Sequence, residues 1–80
     1  LHTACRKGDI EFVRELLSNQ NISIINKVNE ENETPLFIAC QNGHLAIVNE
    51  LLKHKNIEIN KANNFGETPF FTACQFGNLE

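Results

Sequence analysis

The chain has 80 residues, which fit one small domain and no more. Its formal net charge is −3 and its seven basic residues form no block, so we expect no nucleic-acid partner. No apolar run approaches the ~18 residues that cross a bilayer, and no basic-then-apolar leader opens the chain. We therefore expect neither a membrane partner nor a secretory signal.

The first part of the chain predicts two helices. The chain opens within a first helix, which contains Ala4 and Cys5. Beyond the second helix, Ile22 and Ile24 alternate with polar residues, which predicts a brief extended arm. The apolar stripe of the second helix recurs at helical spacing and consists of Ile10, Phe12, Val13, Leu16 and Leu17.

A polar loop over Asn26–Glu33 leads into a third helix. Asn32 stands where a turn requires positive φ, which asparagine tolerates better than other residues with a side chain. Thr34 can cap the N-terminus of the helix, and Pro35 sits where its missing N–H costs nothing. Gly43 can adopt the left-handed conformation that ends the helix after about two turns.

A fourth helix follows at once and ends at the polar run His54–Asn56. Ile57 and Ile59 then repeat the alternation of the first arm. A second polar loop spans Asn60–Glu67, where Gly66 takes the place of Asn32, and a fifth helix opens after it. The fourth helix carries an apolar stripe at helical spacing, which consists of Leu45, Ile47, Val48, Leu51 and Leu52.

The chain repeats itself. Asn26–Ala46 laid over Asn60–Glu80 at a shift of 34 gives identity at 12 of 21 positions, and Leu1–Ile24 lies over Leu36–Ile59 at a shift of 35. A fixed period of this length indicates stacked supersecondary units, each of which cannot bury its apolar face alone. We predict an all-α fold: an α-solenoid of stacked helix-turn-helix units with short, hairpin-like finger loops.

These units resemble the ankyrin repeat. Thr34–His44 looks like the helix-opening motif of that family, and Leu45–Leu52 looks like its second helix. Thr68–Asn78 repeats the opening motif, and Leu1–Asp9 supplies it without its first two residues. The resemblance implies a single ankyrin repeat domain over 1–80, with a partial repeat 1 at 1–29, repeat 2 at 30–63 and a partial repeat 3 at 64–80. We expect adjoining repeats in a longer array, because the chain starts within a helix and stops as another begins.

Three details of the repeats bear on the expected structure. The resemblance implies that a histidine of the opening motif bonds adjacent loops; His2 keeps it, whereas Phe37 and Phe71 replace it, so we expect a weaker, more apolar network. His44 is the ordinary residue of the family at its place, which implies a structural hydrogen bond. The first unit carries one extra residue near Ile24-Ile25, where we expect a bulge or a longer turn.

The three cysteines follow the repeat and not a CxxC pattern. Equivalent helices in neighbouring units stand ~8–10 Å apart, whereas a disulfide requires Cα atoms within roughly 7 Å. We therefore expect Cys5, Cys40 and Cys74 to be free thiols that occupy matching, buried places in successive layers. Free buried thiols fit a reducing compartment, the cytosol or the nucleus.

No pattern in the sequence predicts catalysis, a cofactor site or a metal site. There is no nucleophile-and-base arrangement, phosphate-cradling glycine loop or metal-ligand cluster. We therefore expect a non-enzymatic protein without cofactors. The resemblance implies one modification, because Asn26 and Asn60 occupy a position that is hydroxylated in some members of the family; a hydrogen bond that stabilises the loop is the simpler role.

The resemblance implies that the chain binds another protein across its finger tips and the exposed face of its first helices. Phe65 and Phe76 are large apolar groups where the fold needs none, and aromatic anchors supply much of the binding energy at protein interfaces. In the alternative, Phe65 packs against its own finger and Phe76 on a neighbouring repeat. A structural spacer and a regulatory domain of a larger protein are two other functions that the sequence leaves open. The candidate protein-binding residues are Arg6, Lys7, Glu30, Glu31, Glu33, Gln41, Asn42, Asn64, Phe65, Glu67, Gln75 and Phe76.

Overall fold

Five short α-helices make up the regular structure of the residues that the computed structural model describes, 1–18 and 24–75. The helices are α1 (His2–Lys7), α2 (Ile10–Ser18), α3 (Pro35–Gln41), α4 (Leu45–Leu52) and α5 (Pro69–Gln75). None of the described residues forms a β-strand. The prediction of an all-α fold is confirmed.

Side-chain caps fix where α3 and α5 begin. The Thr34 hydroxyl accepts a hydrogen bond from the backbone N–H of Phe37 at 3.2 Å, and Pro35 occupies the first turn. Thr68 accepts the equivalent bond from Phe71, also at 3.2 Å. Each cap satisfies one of the N–H groups that a helix leaves without an internal partner. The predicted start of the third helix is therefore confirmed.

The helices form antiparallel pairs that stack in sequence order. α1 packs on α2 and α3 packs on α4 within the pairs, while α1, α3 and α5 lie side by side and α2 lies beside α4. The central helix α3 is the most enclosed, because it lies between α1 and α5, and all of its residues except Gln41 are buried. This arrangement is the predicted solenoid of helix pairs.

Each second helix buries the centre of its apolar stripe and leaves the edges half exposed. Val13 and Leu17 of α2 are buried, as are Ile47, Val48 and Leu51 of α4. The half-exposed members of the two stripes are Phe12, Leu45 and Leu52. A helix in a stack presents only part of its circumference to its neighbours, so the stripe is wider than the buried face.

The extended arm predicted for the first unit is not formed at Ile24. Ile24 belongs to a 3₁₀ turn, and its carbonyl accepts a hydrogen bond from the Lys27 N–H at 3.3 Å. Ile25 becomes the buried residue at 1% exposure. The extra residue is therefore accommodated by a turn, as expected, and Ile22 lies outside the described residues. In the second unit, Ile57 is half buried and Ile59 exposed, with no strand between them.

The expectation of free thiols is correct at all three cysteines, whereas the expectation of burial is correct at two and wrong at the third. All three thiols are free, and Cys5 and Cys40 are buried between helix pairs. Burial raises the pKa of Cys40 to about 11, and it does the same for Cys5 although the terminal ammonium group opposes the shift. Cys74 is exposed, because α5 packs mainly on α3 and the described part of the chain leaves its other side open.

Candidate functional site

The first finger closes around one asparagine side chain. The Oδ1 atom of Asn29 accepts hydrogen bonds from the N–H groups of Glu31 at 3.1 Å and Glu33 at 2.9 Å. Its Nδ2 atom donates to Oε1 of Glu33 at 3.0 Å, and the backbone N–H of Asn29 donates to the Glu33 carbonyl at 3.0 Å. The finger is thus held by a local network that needs no strand partner.

The second finger repeats this network atom for atom. Oδ1 of Asn63 accepts from the N–H groups of Phe65 and Glu67, both at 2.9 Å, and Nδ2 donates to Oε1 of Glu67 at 3.0 Å. The tips take the expected positive φ, 65° at Asn32 and 78° at Gly66.

Asn29 and Asn63 are the structural residues that the sequence analysis did not identify. They are identical at the shift of 34 that defines the repeat, and each stands four residues before the end of its finger. An asparagine whose side chain can reach the N–H two residues ahead is a known turn-forming signal. That signal, applied at equivalent positions of two repeats, would have found both.

Hydrogen bonds also join the two fingers to each other. Asn64 donates from its backbone N–H to the Glu31 carbonyl at 3.0 Å and from Nδ2 to the Glu30 carbonyl at 3.3 Å. Asn32 donates from Nδ2 to the Ala62 carbonyl at 3.2 Å. The tips of both fingers therefore lie side by side, and Phe65 follows directly on the residue that joins them.

Phe65 is 80% exposed, the largest exposure of any large apolar side chain among the described residues. The alternative in which Phe65 packs against its own finger is therefore wrong. Phe76 lies outside the described residues.

Two histidines brace neighbouring repeats, as the sequence analysis expected. Nε2 of His2 lies 2.9 Å from the Glu33 carbonyl, and Nε2 of His44 lies 3.1 Å from the Arg6 carbonyl. Where the family histidine is replaced, Phe37 is buried in the core and Phe71 is half exposed on α5.

The side chain of Asn26 is hydrogen-bonded to the segment that follows α4. It accepts from the Glu58 N–H at 2.9 Å and donates to the Asn56 carbonyl at 2.7 Å. The loop-stabilising hydrogen bond is therefore present at Asn26.

The carboxylates of the fingers fall into two kinds. Those of Glu33 and Glu67 accept hydrogen bonds from the asparagine of their own finger, so they help to build the loop. Glu30 and Glu31 are exposed and serve the fingers only through their backbone atoms. Their carboxylates are available to a ligand.

The basic side chains on and next to the second helices form ion pairs with glutamates of those helices, and not with the finger carboxylates. In the part of the chain that the structure describes, the ion pairs join Arg14 to Glu11 and to Glu50, both at 3.4 Å, and Lys53 to Glu50 at 3.5 Å. All of them lie on α2, on α4 or at the C-cap of α4. No lysine, arginine or histidine among the described residues pairs with a finger carboxylate within 4 Å.

The candidate residues divide into two groups at opposite ends of the first helices. The finger group precedes α3 and α5, whereas the other group lies at the C-terminal ends of α1, α3 and α5. A helix of seven residues, such as α3, is ~10 Å long, so the two groups do not form one cluster. The second group comprises Arg6, Lys7, Gln41, Asn42 and Gln75, all of them exposed. Within it, the Asn42 amide donates to the Ile38 carbonyl at 2.8 Å and so completes the end of α3.

An apolar groove of about 340 Å³ lies between the second helix pair and α5. Its walls include Val48 and Leu52 of α4 and Phe70 of α5. Phe70 is exposed beside it. The groove continues the core between helix pairs, so we interpret it as part of the surface on which neighbouring repeats stack, and not as part of the finger tips.

Residues 1–18 and 24–75 contain no group of three or more His, Cys, Asp or Glu side chains that could hold a metal ion. None of their helices is both long and apolar enough to cross a bilayer.

Comparisons with known proteins agree on one family. The family model for ankyrin repeats matches residues 1–80 in three copies. The crystal structure of the human ASB11 ankyrin repeat domain is similar, with 30% sequence identity and a TM-score of 0.84 over 96% of this chain. The chain spans 34% of that domain. A search of curated proteins finds no match.

Ankyrin repeats are generally protein–protein interaction modules and typically non-enzymatic. The paired helices stack as that fold requires, and histidines brace neighbouring units where the family places them. The match to the family model extends from the first residue to the last. The chain therefore belongs to the ankyrin repeat family.

Proposed function

We propose that this chain is a non-enzymatic module that binds a partner polypeptide on the concave face formed by its finger loops and first helices. The observation that carries the proposal is Phe65, which is 80% exposed at the tip of a closed finger. The general role of the family in protein–protein interaction supports the same conclusion.

The rigidity of the fingers favours binding. Asn63 fixes the backbone on both sides of Phe65, and Asn64 ties that finger to the one before it. A partner therefore meets a surface that is already ordered, and the entropy cost of association falls. Full burial of a phenylalanine side chain contributes about 1.5–3 kcal/mol, so a single ring at this place can anchor a peptide.

The free thiols of the core favour a reducing compartment for this protein. Cys5 and Cys40 are buried free thiols, and such thiols are typical of proteins of the cytosol or nucleus. We propose that the partner is a polypeptide of the same compartments.

The test compares Phe65→Ala with the matched variant Phe12→Ala. Phe12 is a half-exposed phenylalanine on α2, outside the two fingers, so the variant removes the same kind of ring from another face of the molecule. Each form is immobilised and used to recover proteins from a cell extract, which are quantified by mass spectrometry. Circular dichroism at 222 nm checks that both variants keep their helices.

We expect at least one protein that the wild type and Phe12→Ala retain equally and that Phe65→Ala retains at least ~10-fold less. If every retained protein is held equally by Phe65→Ala, the finger is not the binding surface. If the wild type retains no protein, the chain acts as a spacer and the proposal is wrong.

A further inference from the structure

Resting on the proposed function, we propose that the finger surface, defined as Glu30, Glu31, Asn64 and Phe65, binds a basic polypeptide segment. The segment places an arginine or lysine side chain against the Phe65 ring and within reach of the carboxylates of Glu30 and Glu31.

Hydrogen bonds fix the positions of these four residues relative to one another. Asn64 of the second finger donates to the carbonyls of Glu30 and Glu31, so the backbone of the first finger is bound to the second finger at this place. Phe65 follows Asn64 directly, and its N–H is held by Oδ1 of Asn63. The exposed ring and the two acidic residues therefore belong to one rigid patch.

The finger surface carries negative charge. Glu30 and Glu31 are exposed, and their carboxylates take no part in the bonds that close the finger. The two fingers also carry Glu33 and Glu67 and two basic residues, Lys27 and Lys61, so four acidic side chains stand against two basic ones and the net charge is negative. Among the described residues, no cationic side chain pairs with any of the four within 4 Å. Such a surface repels a polyanion and attracts a cationic partner, with a faster association rate at low salt.

The aromatic ring of Phe65 provides a second attraction for a cationic side chain. A cationic side chain within about 6 Å of a phenylalanine face is attracted by the ring, and arginine can at the same time form paired hydrogen bonds to a carboxylate. A purely apolar ligand would cover the ring but remove water from the adjacent carboxylates without replacing its hydrogen bonds. A basic side chain can cover the Phe65 ring and at the same time donate hydrogen bonds to a carboxylate of Glu30 or Glu31.

The probe is a library of random 12-residue peptides displayed on phage and selected on the intact chain. We expect lysine and, above all, arginine to be enriched in the selected peptides. The strongest peptide is then synthesised with a fluorescent label, and its Kd is measured by anisotropy at 50 mM and 500 mM NaCl.

Four variants assign the contribution of each group. We expect Phe65→Ala to raise Kd by at least ~10-fold. Phe65→Leu keeps an apolar side chain without the ring and should raise Kd by about 2–5-fold. The double variant Glu30→Gln with Glu31→Gln should raise Kd by about 3–10-fold. The matched control Glu15→Gln with Glu58→Gln removes the same charge from exposed positions outside the finger surface, and we expect Kd to change less than ~2-fold.

The outcomes separate this inference from the proposed function. Peptides that need Phe65 but contain no basic residue, or whose Kd responds to neither salt nor the Glu30 and Glu31 changes, would overturn the basic partner and leave the binding surface intact. Peptides that bind equally to Phe65→Ala, or a selection without enrichment, would overturn both. The substitutions to glutamine keep every backbone bond of the fingers, and circular dichroism verifies that the fold is retained.

Discussion

At the scale of single residues, two glycines share one backbone conformation in different surroundings. Gly8 has φ of 80° and Gly66 has φ of 78°. A Cβ atom at Gly8 would lie 2.7 Å from Cε1 of the His44 ring, whereas one at Gly66 would meet nothing within 4 Å. The first glycine is therefore required by both conformation and space, and the second by conformation alone.

We expect Gly66→Ala to lower the free energy of unfolding by about 1 kcal/mol, which is the cost of a left-handed backbone for a residue with a Cβ atom. Gly8→Ala should lower it by about 2–3 kcal/mol, because His44 must also move and release the Arg6 carbonyl. Urea denaturation of both variants provides the measurement. Equal losses would mean that the hydrogen bond between His44 and the Arg6 carbonyl does not stabilise the contact between the two repeats.

At the scale of elements, one acidic residue connects the second helices. Glu50 of α4 pairs with Arg14 of α2 and with Lys53 beyond its own C-terminus. Partial loss of water opposes its ionisation, but the hydrogen bond from Arg14 and the charge of Lys53 together outweigh that effect and hold the pKa of Glu50 below its usual value. The ionised form is therefore favoured in the folded state more than in the unfolded state.

This lowered pKa predicts how stability depends on pH. A depressed folded pKa contributes stability above the unfolded value, about 4.3 for glutamate, and that stability is lost as the pH falls through the folded pKa. The wild type should exceed Glu50→Gln in stability by less than about 1 kcal/mol at pH 6, because the pair is near the surface. The difference in stability, measured by thermal unfolding without denaturant, should shrink toward pH 3. At pH 6, addition of 1 M NaCl should also reduce it. A difference that stays constant from pH 6 to pH 3 would contradict the pairing.

At the scale of the whole molecule, the three cysteine thiols differ in exposure from one helix pair to the next. Cys5 and Cys40 are enclosed between helix pairs, and burial raises the pKa of both to about 11. Cys74 is exposed on α5. Only a thiolate reacts readily with a disulfide reagent, so the three positions should differ in rate.

We expect Ellman's reagent at pH 8 to modify one thiol of the native chain rapidly and the other two only as the chain unfolds. In denaturant, all three should react at once. Cys74→Ser is the matched variant and should abolish the rapid phase without changing the slow one. Three equal rates in the native chain would show that the layers do not enclose Cys5 and Cys40.

The sequence by itself determined the features that depend on a few neighbouring residues. The 34-residue period predicted stacked pairs of helices, Thr34 and Pro35 predicted the start of α3, and Asn32 and Gly66 predicted positive φ at the finger tips. These features follow from local backbone sterics and capping, which the residue types alone decide. The family resemblance added the bracing role of His2.

Only the tertiary structure decided how separate units meet. It placed Asn64 against the carbonyls of the preceding finger, divided the candidate residues between the two ends of the helices and left Cys74 exposed. Each of these depends on the distance and offset between repeats, which the packing of all the core side chains sets together and no single position in the sequence encodes.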